Sequence, residues 1–66
     1  MSSVTSELSA VAEATQRCLE RIAAIATSDL KLREDVHAAV YEAERGLRNA
    51  HRLVLRAAKQ AGIADS

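Results

Sequence analysis

The sequence contains no proline, tryptophan or phenylalanine, only two glycines, and a single tyrosine, Tyr41. Proline and glycine are the residues least compatible with a helix interior, and their scarcity leaves little material for a turn-rich or sheet-based fold. Cysteine is equally scarce, because Cys18 is the only one. A disulfide within the chain is therefore excluded, which favours a reducing, cytoplasmic setting.

An excess of charge and a long apolar run are also missing. The formal net charge is +0, which argues against general binding to polyanions. No apolar run approaches the ~20 residues that span a bilayer, and the polar start "MSSVTSELS" lacks the basic and apolar regions of a signal peptide. We therefore expect a soluble protein with no membrane contact.

Alanine, leucine, arginine and glutamate, which are strong helix formers, dominate what is present. The composition predicts an all-α protein. A chain of 66 residues is one domain, and a core this small usually needs a metal or a second subunit when disulfides are absent.

Apolar residues recur at alternating steps of three and four in both halves of the chain, which predicts two amphipathic helices. The predicted contact seam of the first helix is Val4, Leu8, Val11, Thr15, Cys18, Ile22 and Ile25, widened by Ala12, Leu19 and Ala26. On this seam Cys18 is expected to be a small buried side chain. The predicted seam of the second helix is Val36, Val40, Ala43, Leu47, Ala50, Val54, Ala57 and Ala61.

The two seams do not share a phase, so the chain should turn between them. Three weak helix formers, Thr27, Ser28 and Asp29, stand at that point and can cap a new helix. We predict a two-helix antiparallel hairpin with helix one at about 3–26, the turn at 27–29, helix two at about 30–61 and a tail at 62–66. Gly62 fits a left-handed helix cap. One uninterrupted helix with a phase slip is the alternative.

A turn at 27–29 would place Leu8 opposite Ala50, so helix two would extend about two turns beyond helix one. The overhang would leave six apolar residues uncovered, which favours a second subunit: Val54, Leu55, Ala57, Ala58, Ala61 and Ile63. We expect a homodimer that completes a four-helix bundle, or binding to another helical protein. The expected interface residues are Tyr41, Leu47, His51, Val54, Leu55, Ala58, Ala61 and Ile63.

Charge is distributed unevenly, since residues 1–44 hold eight acids and four basic residues, whereas residues 45–66 hold five basic residues and one acid. The basic residues are spaced by three or four on helix two and form an arginine stripe: Arg45, Arg48, Arg52, Arg56 and Lys59. Such a stripe can follow a phosphate backbone, so nucleic-acid binding is the alternative function. The contrasting interpretation is a solvated face that pairs with Glu7 and Glu13.

Three polar residues, His37, Glu44 and His51, recur at intervals of seven, which is roughly 10 Å along a helix and too far to share one ion. We expect them in a row beside the seam, with pH-dependent assembly as an open alternative. Glu34 and His37, with Glu20, have the spacing of a bundle metal site, but the seam phase points Glu20 and Glu34 outward. No catalytic arrangement is present, so we expect no enzyme, no cofactor and no metal, and a structural or regulatory interaction module.

Overall fold

The computed structural model describes residues 3–28 and 33–65. They form two α-helices, α1 (Val4–Ser28) and α2 (Glu34–Asp65), and no strand occurs in these two ranges. The helices pack against each other side by side in a body measuring 50 × 17 × 13 Å. The predicted all-α hairpin is therefore confirmed.

Each helix begins with a local hydrogen bond that satisfies an otherwise free backbone donor. The hydroxyl of Ser3 accepts a 3.0 Å hydrogen bond from the amide of Ser6 at the start of α1, as a helix N-cap does. At the start of α2, Asp35 accepts from the Val36 amide at 2.9 Å and from both Nε and Nη2 of Arg33. The Arg33 guanidinium, and secondarily the Val36 amide, lower the pKa of Asp35 because they stabilise its charged form.

The predicted turn lies partly inside a helix. Thr27 belongs to α1, and its hydroxyl donates back to the carbonyl oxygens of Ala23 and Ala24 at 3.2 and 3.3 Å. This back-bonding satisfies the hydroxyl without ending the helix, so Thr27 does not cap a new helix. Asp29 and residues 30–32 lie outside the described residues.

The helix cap expected at Gly62 is wrong. No glycine in the described ranges has a positive φ, and α2 continues through Gly62 to Asp65. A Cβ built on Gly62 would lie 3.8 Å from Cγ2 of Thr5, so α1 reaches this end of α2. Packing against α1 explains why the helix extends beyond the position where an isolated helix would end.

The register of the hairpin differs from the predicted one by about two turns. The Thr15 hydroxyl contacts Nδ1 of His51 at 2.8 Å, so Leu8 lies near the level of Ala58 and not of Ala50. The predicted uncovered overhang is wrong for four of its members, because α1 lies against them and leaves them half-buried: Val54, Ala57, Ala58 and Ala61. The reason is that α1 runs to Ser28 and α2 begins only at Glu34, which moves the fold-back point along the chain.

The contact between the helices follows one heptad seam on each, which we call the inner seam. On α1 it consists of Thr5, Leu8, Ala12, Thr15, Leu19, Ile22 and Ala26. On α2 it consists of Val40, Glu44, Leu47, His51, Val54, Ala58 and Ala61. Within residues 3–27 and 33–63 only Ala12, at 6% exposure, is buried. The hairpin therefore has a contact line and almost no interior.

The predicted seam is displaced from the inner seam by one row on each helix. Residues expected inside are exposed: Val4, Val11, Cys18 and Ile25 on α1, and Val36, Ala43 and Ala50 on α2. The expectation that Cys18 is buried is therefore wrong. The apolar arc of α1 is three rows wide, as in helices that face a bundle core, and α2 covers only the two rows on one side of it.

Replacing Gly62 with alanine distinguishes a helical from a left-handed residue. In a helix with ordinary van der Waals space around the new methyl group, Gly62→Ala should raise the free energy of unfolding by about 0.5–1 kcal/mol. Urea unfolding followed by circular dichroism, at matched protein concentration, measures the change. A loss of stability of about 1 kcal/mol would instead indicate the left-handed cap.

Candidate interaction surfaces

A polar contact joins the two helices in the middle of the inner seam. The hydroxyl of Thr15 lies 2.9 Å from the carbonyl oxygen of Ala12 and 2.8 Å from Nδ1 of His51. A hydroxyl has one proton, and the carbonyl can only accept, so Thr15 donates to Ala12 and accepts from His51. The geometry therefore assigns a proton to Nδ1 of His51. Both polar side chains are satisfied although they are half-buried.

Glu44 also lies on the inner seam, with 21% of its side chain exposed. The guanidinium of Arg48, one turn further along α2, lies 2.8 Å from Oε2 of Glu44. An opposite charge offsets the cost of removing a carboxylate from water. Arg48 therefore lowers the free-energy cost of placing the Glu44 carboxylate in the seam. The heptad pattern had predicted Glu44 and His51 beside the seam, but both lie in it. His37 is exposed.

The candidate metal ligands do not form a site. Glu20, Glu34 and His37 are all exposed, and no group of three histidine, cysteine or acidic residues within the described ranges could hold a metal ion. The pattern "EDVH" at the start of α2 serves another purpose, because Asp35 bonds Arg33 and the Val36 amide.

One edge of the hairpin is a groove with mixed lining. It is lined by Ala12, Glu13, Gln16, Arg17, His51 and Leu55. Gln16 of α1 and Leu55 of α2 therefore lie on the same edge, which we call the Leu55 edge. In antiparallel helices the rows on one side of the contact meet each other, and so do the rows on the other side. The row that contains Val11 on α1 and the row that contains Ala50 on α2 therefore share the opposite edge.

That opposite edge carries exposed residues without charge on both helices, and we call it the uncharged face. It consists of Val4, Val11, Cys18 and Ile25 of α1 and Val36, Ala39, Ala43, Gly46, Ala50 and Leu53 of α2. Of the eight large apolar side chains that are exposed in the described ranges, five belong to it: Val4, Val11, Ile25, Val36 and Leu53. A continuous exposed apolar surface of this kind marks an interaction site more often than scattered apolar residues do.

The arginine stripe lies on the outer side of α2, away from the uncharged face. Arg48 pairs with Glu44, Arg45 approaches Glu42 only to 4.0 Å, and Arg52 donates to the Asn49 side chain, which is neutral. Arg45, Arg48 and Arg52 also line one open concavity with Asn49 and Leu55. The exposed ion pairs contribute little to stability.

The acids that were expected to neutralise the stripe do not do so. Within residues 3–27 and 33–63, the ion pairs involve only Asp35, Glu42 and Glu44 as acids. Neither Glu7 nor Glu13 is among them, and Arg52, Arg56 and Lys59 form no ion pair in these ranges. The stripe thus retains most of its positive charge.

The interface residues expected from the sequence divide into two groups. Five of them lie on the inner seam, where they face the other helix of the same chain: Leu47, His51, Val54, Ala58 and Ala61. Tyr41, Leu55 and Ile63 are exposed, at 61%, 50% and 68%. Tyr41 and Leu55 occupy the Leu55 edge, with Arg48 between them.

The uncharged face was not predicted from the sequence, because Val4, Val11 and Cys18 were assigned to the inside of the hairpin. The signal that reveals them is the width of the apolar arc. One antiparallel neighbour covers two adjacent heptad rows, so a third apolar row on the same helix indicates a further neighbour. Gly46 is also exposed, with no atom within 4 Å of the position that a Cβ would take, but a single glycine provides no periodic signal.

No protein-family model matches this chain, and comparison with curated proteins and with solved structures finds no match either. Neither helix, over its described length, combines the length and the apolar character that crossing a membrane requires.

The Thr15–His51 contact yields a stability prediction. Thr15→Val keeps the shape but removes the hydroxyl, leaving the His51 donor unsatisfied, and should lower the free energy of unfolding by about 1 kcal/mol. Thr15→Ser retains the hydroxyl and serves as the matched control, with a smaller loss. Chemical denaturation measures both, and equal losses would contradict a role for the hydrogen bond.

Proposed function

We propose that this chain is a small non-enzymatic helical protein that self-associates through the uncharged face into a four-helix bundle. In this role it acts as a structural or regulatory protein–protein interaction module. The observation that carries the proposal is the presence of exposed apolar rows on both helices along one edge of the hairpin.

The lack of an interior supports the same proposal. With Ala12 the one buried residue within 3–27 and 33–63, the hairpin gains little of the apolar burial that offsets the loss of conformational entropy on folding. A second layer of helices would bury Val4, Val11 and Leu53. The uncharged face extends about 32 Å along α1, from Val4 to Ile25, across a body 17 Å wide, which is the size of the smaller specific interfaces, below ~600 Å² per partner.

A cytoplasmic setting forms part of the proposal. Cys18 is exposed on the uncharged face, and a free exposed thiol persists where cellular thiols are kept reduced. The chain would need no cofactor for this role.

A second candidate function is nucleic-acid binding along the arginine stripe. The specific observation in its favour is that Glu7 and Glu13 do not pair with the stripe, and that the ion pairs in the described ranges involve only Arg45 and Arg48 of its five basic residues. From Arg45 to Lys59 the stripe is about 21 Å long, a length that spans several phosphates. It lies outside the uncharged face, so the two functions are compatible.

Charge placed on the uncharged face should prevent self-association. We expect sedimentation to show a dimer for the wild type and a monomer for Val11→Lys at micromolar concentration, because a buried unpaired ammonium is costly. Leu55→Lys is the matched control, since Leu55 is equally exposed (50% against 46% for Val11) but lies on the Leu55 edge. It should remain dimeric.

Three outcomes would contradict this assignment. A wild type that is monomeric and helical at every concentration would exclude self-association. A dimer lost in Leu55→Lys but kept in Val11→Lys would move the interface to the Leu55 edge. A melting temperature of the wild type that does not rise with protein concentration would indicate that folding is not linked to assembly.

Binding by the arginine stripe has its own signature. Affinity for a nucleic acid should fall steeply with salt, and the triple variant Arg48→Ala, Arg52→Ala and Arg56→Ala should bind more weakly with a shallower salt dependence. Arg33→Ala, which removes a charge outside the stripe that is already paired with Asp35, is the control. Binding that is absent, or insensitive to salt, would dismiss this function.

A further inference from the structure

We infer that the second copy binds antiparallel, so that α1 packs on α1 of the partner and α2 packs on α2 of the partner, with the fold-back ends of the two hairpins at opposite ends. This inference rests on the proposed self-association and adds its geometry. In the competing arrangement, the fold-back ends lie together and α1 of one copy packs on α2 of the other.

The flanks of the uncharged face favour the antiparallel arrangement. On α2, the row on the outer side of Ala43 and Ala50 is uncharged and exposed, and it consists of Ala39, Gly46 and Leu53. The equivalent row of α1 contains the charged residues Glu7 and Arg21. Packing α2 on α1 would place Gly46 beside Arg21, because these two residues lie near the same level of the hairpin. When α1 packs on α1 and α2 packs on α2, the uncharged flank of α2 contacts the same flank of the partner.

The charged flank of α1 is also complementary to itself when the copies run in opposite directions. The middle of α1 (Val4–Ser28) lies near residue 16. A two-fold axis at this level brings Glu7 of one copy to about 6 Å, along the helix axis, from the residue in the other copy that is equivalent to Arg21. Two long side chains of opposite charge can meet over this distance. In the competing arrangement this pairing is lost.

Leu53 and Gly46 provide a shape argument at the same axis. The middle of α2 (Glu34–Asp65) lies near residue 50, at the level of residue 16 of α1, as the Thr15–His51 contact shows. Antiparallel packing about this point puts Leu53 of each copy within about one residue rise of Gly46 of the other. Leu53 is 48% exposed, and nothing lies within 4 Å of a Cβ built on Gly46. The leucine therefore fills the space that the glycine leaves, twice per dimer.

Exchanging the two residues tests this pairing. Gly46→Leu alone should weaken the dimer at least about tenfold, because two leucines then compete for one space. The double variant Gly46→Leu, Leu53→Gly exchanges protrusion and recess at the same level and should return the dissociation constant to within about threefold of wild type. Sedimentation at several concentrations measures the constants, and circular dichroism verifies the helix content.

The thiol of Cys18 gives an independent readout of orientation. In the antiparallel dimer the two Cys18 side chains face one another near the two-fold axis, about 6 Å apart along the helices, and a slide of a fraction of a turn brings them within disulfide range. Oxidised glutathione, which accepts the two electrons and two protons, should therefore yield a linked dimer. The matched control, Cys18→Ser with Gln16→Cys, moves the thiol to the Leu55 edge and should not link.

The results separate this inference from the proposed function. A wild type that never dimerises overturns both. A dimer that tolerates Gly46→Leu, or that the exchanged variant fails to restore, overturns the antiparallel geometry while self-association stands. A dimer that Cys18 does not link faster than the Gln16→Cys control overturns it as well.

Discussion

The structure depends on the mismatch between the apolar width of each helix and the width that a single neighbour can cover. On α1, apolar residues occupy three adjacent heptad rows, and the one antiparallel neighbour covers two of them. On α2, the neighbour covers the apolar row of Leu47 and the mainly polar row of Glu44 and His51. An apolar row stays exposed on each helix, represented by Val11 on α1 and Ala50 on α2. Since both exposed rows fall on one edge, the hairpin has a face that resembles half of a bundle core.

Composition and periodicity were sufficient for the fold. The scarcity of proline and glycine and the repeated steps of three and four required helices, and the phase change between the halves required a turn. They were insufficient for the register, because Thr27 forms hydrogen bonds within α1 that sequence propensity does not distinguish from a cap. A displacement of the turn by a few residues shifts the facing residues by twice as many, which is why Leu8 lies near Ala58 and not near Ala50.

The surfaces were only partly predictable, for a related reason. Periodicity locates the centre of the apolar arc but not the side on which the partner helix lies, so Val11 and Cys18 were assigned to the inside. The arginine stripe followed directly from its spacing. Its partners did not, because Arg48 pairs with Glu44 of the same helix and not with an acid of α1. The choice between these acids depends on the register, which the sequence left open.

The contact between Thr15 and His51 also selects one alignment of the helices from several similar ones. A seam that repeats every seven residues, with alanine at many positions, offers similar apolar contacts after a slide of one heptad. Such a slide would place His51 near Leu8 or Ile22, where no hydroxyl could satisfy its ring nitrogen. One polar pair among small side chains thus makes neighbouring alignments unfavourable. It selects a single alignment of α1 and α2 in a repetitive sequence.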